Sequence, residues 1–139
     1  MAVTTSAPIL QAVVQALRAS VALKAAVRGE IHEGFAPQGT KKPFLVYQVH
    51  ALPVDYDWSN LDYEALIDIF IYADNSVDAR NIDALVFTTM QEAPLAVTGQ
   101  STLICRRIME ITHQDVSEEG KKIYQVGGVW EIQTTQPRI

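Results

Sequence analysis

Tyr63-Glu64-Ala65-Leu66-Ile67-Asp68-Ile69-Phe70-Ile71-Tyr72-Ala73 decides the fold. Its β-branched and aromatic residues favour a strand. Side chains of a strand alternate between two faces. One face here carries Ala65, Ile67, Ile69, Ile71 and Ala73; the other carries Leu66, Phe70 and Tyr72, with only Asp68 fully polar among them. Such a strand belongs inside a sheet with something on both of its sides.

Outward from that strand the chain alternates between helix and strand signals. Asp74-Asn75-Ser76 offers capping side chains, and Val77, Ile82, Leu85, Val86 and Met90 follow as the expected buried stripe of a helix ending before Pro94. Thr102–Thr112 and Lys122–Thr134 read as two further strands, joined as a hairpin by the polar, glycine-containing segment Gln114–Lys121. Tyr124, Val126, Trp130 and Ile132 share one face of the last strand. Gly127-Gly128 lies inside it, a bend or bulge signal and not a phosphate loop.

Toward the N-terminus, Phe44–His50 is a strand by content, stopped by Pro53. Glu30–Pro43 is punctuated by Gly34, Pro37, Gly39 and Pro43 and reads mostly as loop. Ser6 and Pro8 start a first helix, with Leu10, Val13, Val14, Leu17 and Val21 at helical spacing and Arg28-Gly29 as its stop. The spacing predicts that helix over residues 7–28. The order is then α-β-β-α-β-β. It predicts an α+β fold in which two helices pack on one face of a mostly antiparallel four-stranded sheet, with residues 1–139 as one domain.

Two helices cover only one face of such a sheet. Its second apolar face needs either a partner or a loop lying across it, and the loops Glu30–Pro43 and Val54–Asp62 are available. Association buries that face at about 25 cal/mol per Å² of apolar area.

Composition narrows the chemistry. The 139 residues are 48% hydrophobic and 19% charged, which suits a folded chain. The net charge of −5 disfavours nucleic-acid binding, and the adjacent basic pairs Lys41-Lys42, Arg106-Arg107 and Lys121-Lys122 are too sparse along the sequence to read as a DNA-binding surface. In a strand, Arg106 and Arg107 point to opposite faces. Cys105 is the single cysteine, so no internal disulfide forms, and its place between Ile104 and Arg106 suits a small buried residue better than a nucleophile. Met1–Ser6 lacks the basic region of a secretory signal, and Ile9–Val27 is interrupted by Gln11, Gln15, Arg18, Ser20 and Lys24, which does not suit a membrane span. Folding in a cytoplasm and no membrane partner are the expectation.

His32, His50 and His113 sit in separate elements without metal-ligand spacing. Gly-x-Ser-x-Gly and Walker patterns are absent from the sequence. No catalytic residue, metal site or cofactor follows. Asp55-Tyr56-Asp57-Trp58, continuing to Asp62 and Glu64, is acidic, but it lacks the glycine turn and closing glutamate of a calcium-binding loop. A solvated loop is its plain reading. A protein interface is its functional one, because tyrosine and tryptophan anchor such contacts.

The run Gly29-Glu30-Ile31 … Ala36-Pro37-Gln38-Gly39-Thr40 … Pro43-Phe44-Leu45-Val46-Tyr47-Gln48 resembles the signature region of tail terminator (tail completion) proteins of long-tailed bacteriophages. Glu64–Asp74, the following helix through Ala79 and Ala84, and Ile123–Ile132 after the turn Asp115–Gly120 are similar to the same family. The ordered combination, from Leu10 to Ile132, carries the resemblance; Ala51–Asp62 departs most from the family's pattern. The resemblance implies a non-enzymatic virion protein without cofactors, forming a ring of six copies. It would cap the tail tube, end its polymerisation and join the tail to the head-side connector. Its partners would be itself, the tail tube protein and the connector protein, with genomic DNA passing through the lumen without specific binding. The competing readings are another neck component, or a small-molecule-binding or enzymatic α+β domain with a cleft near His50 and Asp57.

Overall fold

The computed structural model describes residues 7–51, 62–91, 93, 95, 97, 101–116 and 120–135. Among them the elements run α1 (Ala7–Ala19), α2 (Val21–Ala26), β1 (Ile31–Glu33), β2 (Phe44–Ala51), β3 (Asp62–Ala73), α3 (Ser76–Met90), β4 (Ser101–Val116) and β5 (Lys122–Thr135). The strands form one five-stranded sheet in the order β1-β2-β3-β5-β4. Every neighbouring pair is antiparallel except β1 with β2. The fold is α+β as expected, with two corrections among the described residues: the sheet is mixed and five-stranded, and the helices number three.

Both corrections have local causes. Ser20 breaks the expected 7–28 helix: its backbone is extended at φ −75° and ψ 107°, and its hydroxyl accepts from the Leu23 amide at 3.3 Å, capping a new helix. A serine oxygen offers the backbone that alternative to continuing the helix. Val21, expected in the buried stripe, is consequently 83% exposed. The fifth strand lies where a loop was expected. Ile31–Glu33 pairs with Leu45–Tyr47, and Ile31 is buried against the core. A strand of three residues shows no period long enough to read from sequence.

The central strand behaves as its pattern dictates. Ala65, Ile67, Ile69 and Ile71 are fully buried and share a core cluster with Val13 and Leu17 of α1, Leu23 of α2, and Ile82, Val86 and Met90 of α3. Val126, Trp130 and Ile132 register opposite Ile71, Ile67 and Ala65, so they lie on this helix-covered face. Asn75 caps α3 by accepting from the Asp78 amide at 2.8 Å. Val77 is exposed, however, and Leu85 is only half-buried; Ala79 and Asp83 take the buried positions.

The two strand glycines answer to close approach. A Cβ on Gly127 would collide with the Ile69 carbonyl and the Phe70 Cα, and one on Gly128 with the Met109 carbonyl. The associated bulge is carried by β4, between Arg107 and Met109, while β5 keeps a regular register with β3.

Candidate functional site

Strand alternation and the register define the face of the sheet away from the helices. Four rows cross it: His32, Val46, Phe70, Gly127 and Ile111; Phe44, Tyr72, Gln125 and His113; Gln48, Asp68, Val129 and Met109; and Leu66, Glu131 and Arg106. We call it the outer face. Val46, Phe70 and Val129 are buried there, yet none joins the helix-side core clusters. Phe44, Leu66, Tyr72, Ile111 and Ile123 are half-buried, and Met109 is exposed. Phe44 and Tyr72 stack with ring centroids 5.1 Å apart. An apolar, aromatic surface rimmed by polar side chains is the composition of a contact surface.

One buried carboxylate lies within it. Asp68 accepts a hydrogen bond from Gln48 Nε2 at 3.2 Å, and His50 Nδ1 sits 3.0 Å from its Oδ1 and 3.2 Å from its Oδ2. Oδ1 is buried without an aligned donor among the described residues, so its contact with His50 is one of proximity more than of hydrogen-bond geometry. Burial first, and the nearby Asp68 charge second, push the Tyr72 phenol above its ordinary value. At the edge of the face, Arg106 pairs with Glu131 at 3.2 Å.

Arg107 points the other way, as alternation requires. Its guanidinium makes a two-pronged ion pair with Asp83 of α3, at 2.9 and 2.6 Å, and lies 5.0 Å from the Trp130 ring centroid and 5.5 Å from that of Phe87. This pair ties β4 to α3 on the helix side. Periodicity could not reveal it, because an aspartate on a helix and an arginine in a strand both read as solvent-facing.

The remaining candidate residues are dispersed. His32 contacts Glu30 at 2.6 Å, and His113 is exposed near the hairpin tip. Cys105 is buried in β4 and donates to the Met90 carbonyl at 3.1 Å. Burial pushes its thiol up to about 11, although a backbone hydrogen bond at Ala93 acts in the opposite sense. At neutral pH it is therefore a thiol and a poor nucleophile. Asp55, Tyr56, Asp57 and Trp58, the expected interface loop, lie outside the described residues, so the cleft suggested between His50 and Asp57 does too. No helix among the described residues is long and apolar enough to cross a membrane.

Comparison with known proteins adds the family. No curated protein matches the chain. A chain from a solved structure titled "Virion of native gene transfer agent (GTA) particle" superposes with a TM-score of 0.70 at 16% identity, covering 88% of this chain and 91% of that one. At that identity the likeness is one of fold. The family model "Tail completion protein gp17" matches residues 11–123, from α1 through the start of β5. With most of its length matched, including all of the central strand and α3, this chain belongs to the tail completion protein gp17 family, a structural component of the virion tail.

Proposed function

We propose that the chain assembles into a closed ring, of six copies by the family resemblance. The ring caps the finished tail tube, ends its polymerisation and joins the tail to the head-side connector. It acts as a structural part and not as an enzyme. The observation that supports this reading is the outer face: Phe44, Leu66, Tyr72 and Ile111 are half-buried and Met109 is exposed around the buried Val46, Phe70 and Val129, and none of them shares a core cluster with a helix among the described residues. Closed rings need two different surfaces on each subunit. The sheet offers two unlike edges, the 16-residue β4 and the 3-residue β1.

Asp55, Tyr56, Asp57 and Trp58 contribute to contacts with the neighbouring copy or with the tail tube protein, the aromatics as anchors. Genomic DNA passes through the lumen without base-specific contacts.

The test is light-scattering mass together with tail-length measurement by electron microscopy. Tyr72→Lys with Ile111→Lys places two charges on the outer face; the folded double variant should fall to a lower mass and leave tails of uncontrolled length. Tyr56→Ala with Trp58→Ala tests the loop separately. A wild-type protein that remains a monomer at all concentrations, or outer-face variants that assemble fully and still yield normal, head-joined tails, would overturn the ring.

A further inference from the structure

Two of the three basic pairs, 80 residues apart in the chain, meet in space. Lys41-Lys42 precedes β2, Lys121-Lys122 opens β5, and both pairs line one depression of about 720 Å³ together with Arg28 at the end of α2. These are five of the chain's 11 basic residues, in a protein whose net charge is −5. Among the described lining residues the one carboxylate is Asp74, and it pairs with Lys42 at 3.1 Å. Arg28 also lines a second shallow depression with Arg18 and Lys24, which extends the basic surface across α1 and α2. The pairs dismissed as too sparse in sequence are therefore dense in space.

The surface is fixed at its centre. Arg28 sits at φ 53°, in the left-handed region that an arginine occupies at a cost, and Gly29 follows at φ 73°. Its guanidinium donates to the Lys42 carbonyl at 2.9 Å and the Lys41 carbonyl at 3.4 Å. Those carbonyls orient the guanidinium without neutralising it, and the contacts hold the Lys41-Lys42 backbone against the end of α2.

From this we infer that the depression docks the phosphodiester backbone of double-stranded DNA, independently of base sequence. Lysine is depleted in protein–protein interfaces, and four of the five cations here are lysines. Lysine serves phosphate as a point charge, and backbone contacts of this kind carry no sequence information. No aromatic ring for stacking a base stands among the described lining residues, so single-stranded recognition is not favoured. Glu118 and Glu119 precede Lys121 in the sequence and lie outside the described residues. The assignment concerns the subunit's own surface and does not rest on the ring.

The experiment is fluorescence anisotropy of a labelled duplex of about 30 base pairs, titrated with the full chain between roughly 50 and 200 mM salt. With about three phosphates neutralised, by Arg28, Lys41 and Lys122, affinity should fall on the order of 40-fold across that range, because its logarithm declines by about 0.9 per phosphate per unit of log salt. Lys41→Gln with Lys122→Gln removes about two of those contacts, and the fall should shrink to roughly 3- to 4-fold. Both side chains are exposed, so the variant should keep the wild-type melting temperature and assembly mass. Lys122→Gln alone provides a second variant, whose fall should be about 12-fold. Arg106→Gln, on the outer face, should leave DNA binding unchanged. Poly-glutamate and inorganic phosphate serve as competitors, and both should compete more weakly than unlabelled duplex. Absence of binding at about 50 mM salt, a slope unchanged in both lysine variants, or stronger competition by poly-glutamate would overturn the assignment. The last result would identify an acidic protein surface as the partner. Lost DNA binding with unchanged assembly mass separates this inference from the ring, whose failure appears as lost mass.

Discussion

Breaking the buried ion pair between Asp83 and Arg107 should destabilise the fold more than almost any other single polar change. Both side chains are 8% exposed, and the guanidinium meets both carboxylate oxygens at 2.9 and 2.6 Å. Removing one partner leaves the other charge buried without compensation, at a cost of about 3–5 kcal/mol. Asp83→Ala retains whatever attraction Phe87 and Trp130 exert on the cation, roughly 0.5–2 kcal/mol for a ring pair of this kind, so it should sit at the lower end. Arg107→Met loses that attraction as well and should sit at the upper end. Arg107 Nε is buried with no acceptor among the described residues, so the pair is incompletely satisfied even when intact. An apolar replacement of both partners, Asp83→Leu with Arg107→Met, should therefore lie within about 2 kcal/mol of wild type. The single costs sum to roughly 6–10 kcal/mol, which makes the coupling at least about 4 kcal/mol. Urea unfolding followed by tryptophan fluorescence measures all four corners of the cycle. Single variants that each cost under about 1 kcal/mol, as exposed pairs do, would refute the buried-pair argument.

Three further outcomes follow from the packing. Ile69→Ala removes a fully buried side chain beneath the helices and should cost about 2–5 kcal/mol in denaturant unfolding; an unchanged midpoint would contradict the placement of β3. Gly127→Ala drives a methyl group into the backbone of β3 and should destabilise by at least about 1–3 kcal/mol, whereas Gly120→Ala in the hairpin meets no neighbouring atom and pays only for its positive φ. Cys105 should resist thiol reagents in the native state and react on unfolding. Because its folded value is raised to about 11, its stabilising effect is complete below the ordinary thiol value of 9.0 and is lost as pH rises toward 11, so the stability gap between wild type and Cys105→Ala should narrow over that window.

The sequence by itself determined the elements whose patterns are long and strong. The alternation in Tyr63–Ala73, the caps around Asn75 and the paired runs ending at Thr134 were sufficient for an α+β fold with the isoleucines beneath the helices. The ordered motifs around Ala36–Gln48 and Glu64–Asp74 were sufficient for the family. The opposite orientations of Arg106 and Arg107 followed from strand geometry alone. Short-range competition hid the rest: a serine oxygen capturing one amide split the first helix, and β1 is too short to show a period. Long-range geometry hid more. Asp83 meets Arg107 across 24 positions, and Lys41-Lys42 meets Lys121-Lys122 only because β2 and β5 bring their ends to the same end of the sheet. Charge along a chain is a one-dimensional average, and attraction depends on distance in three dimensions. The net charge of −5 therefore concealed a local concentration of cations that only the tertiary structure assembles.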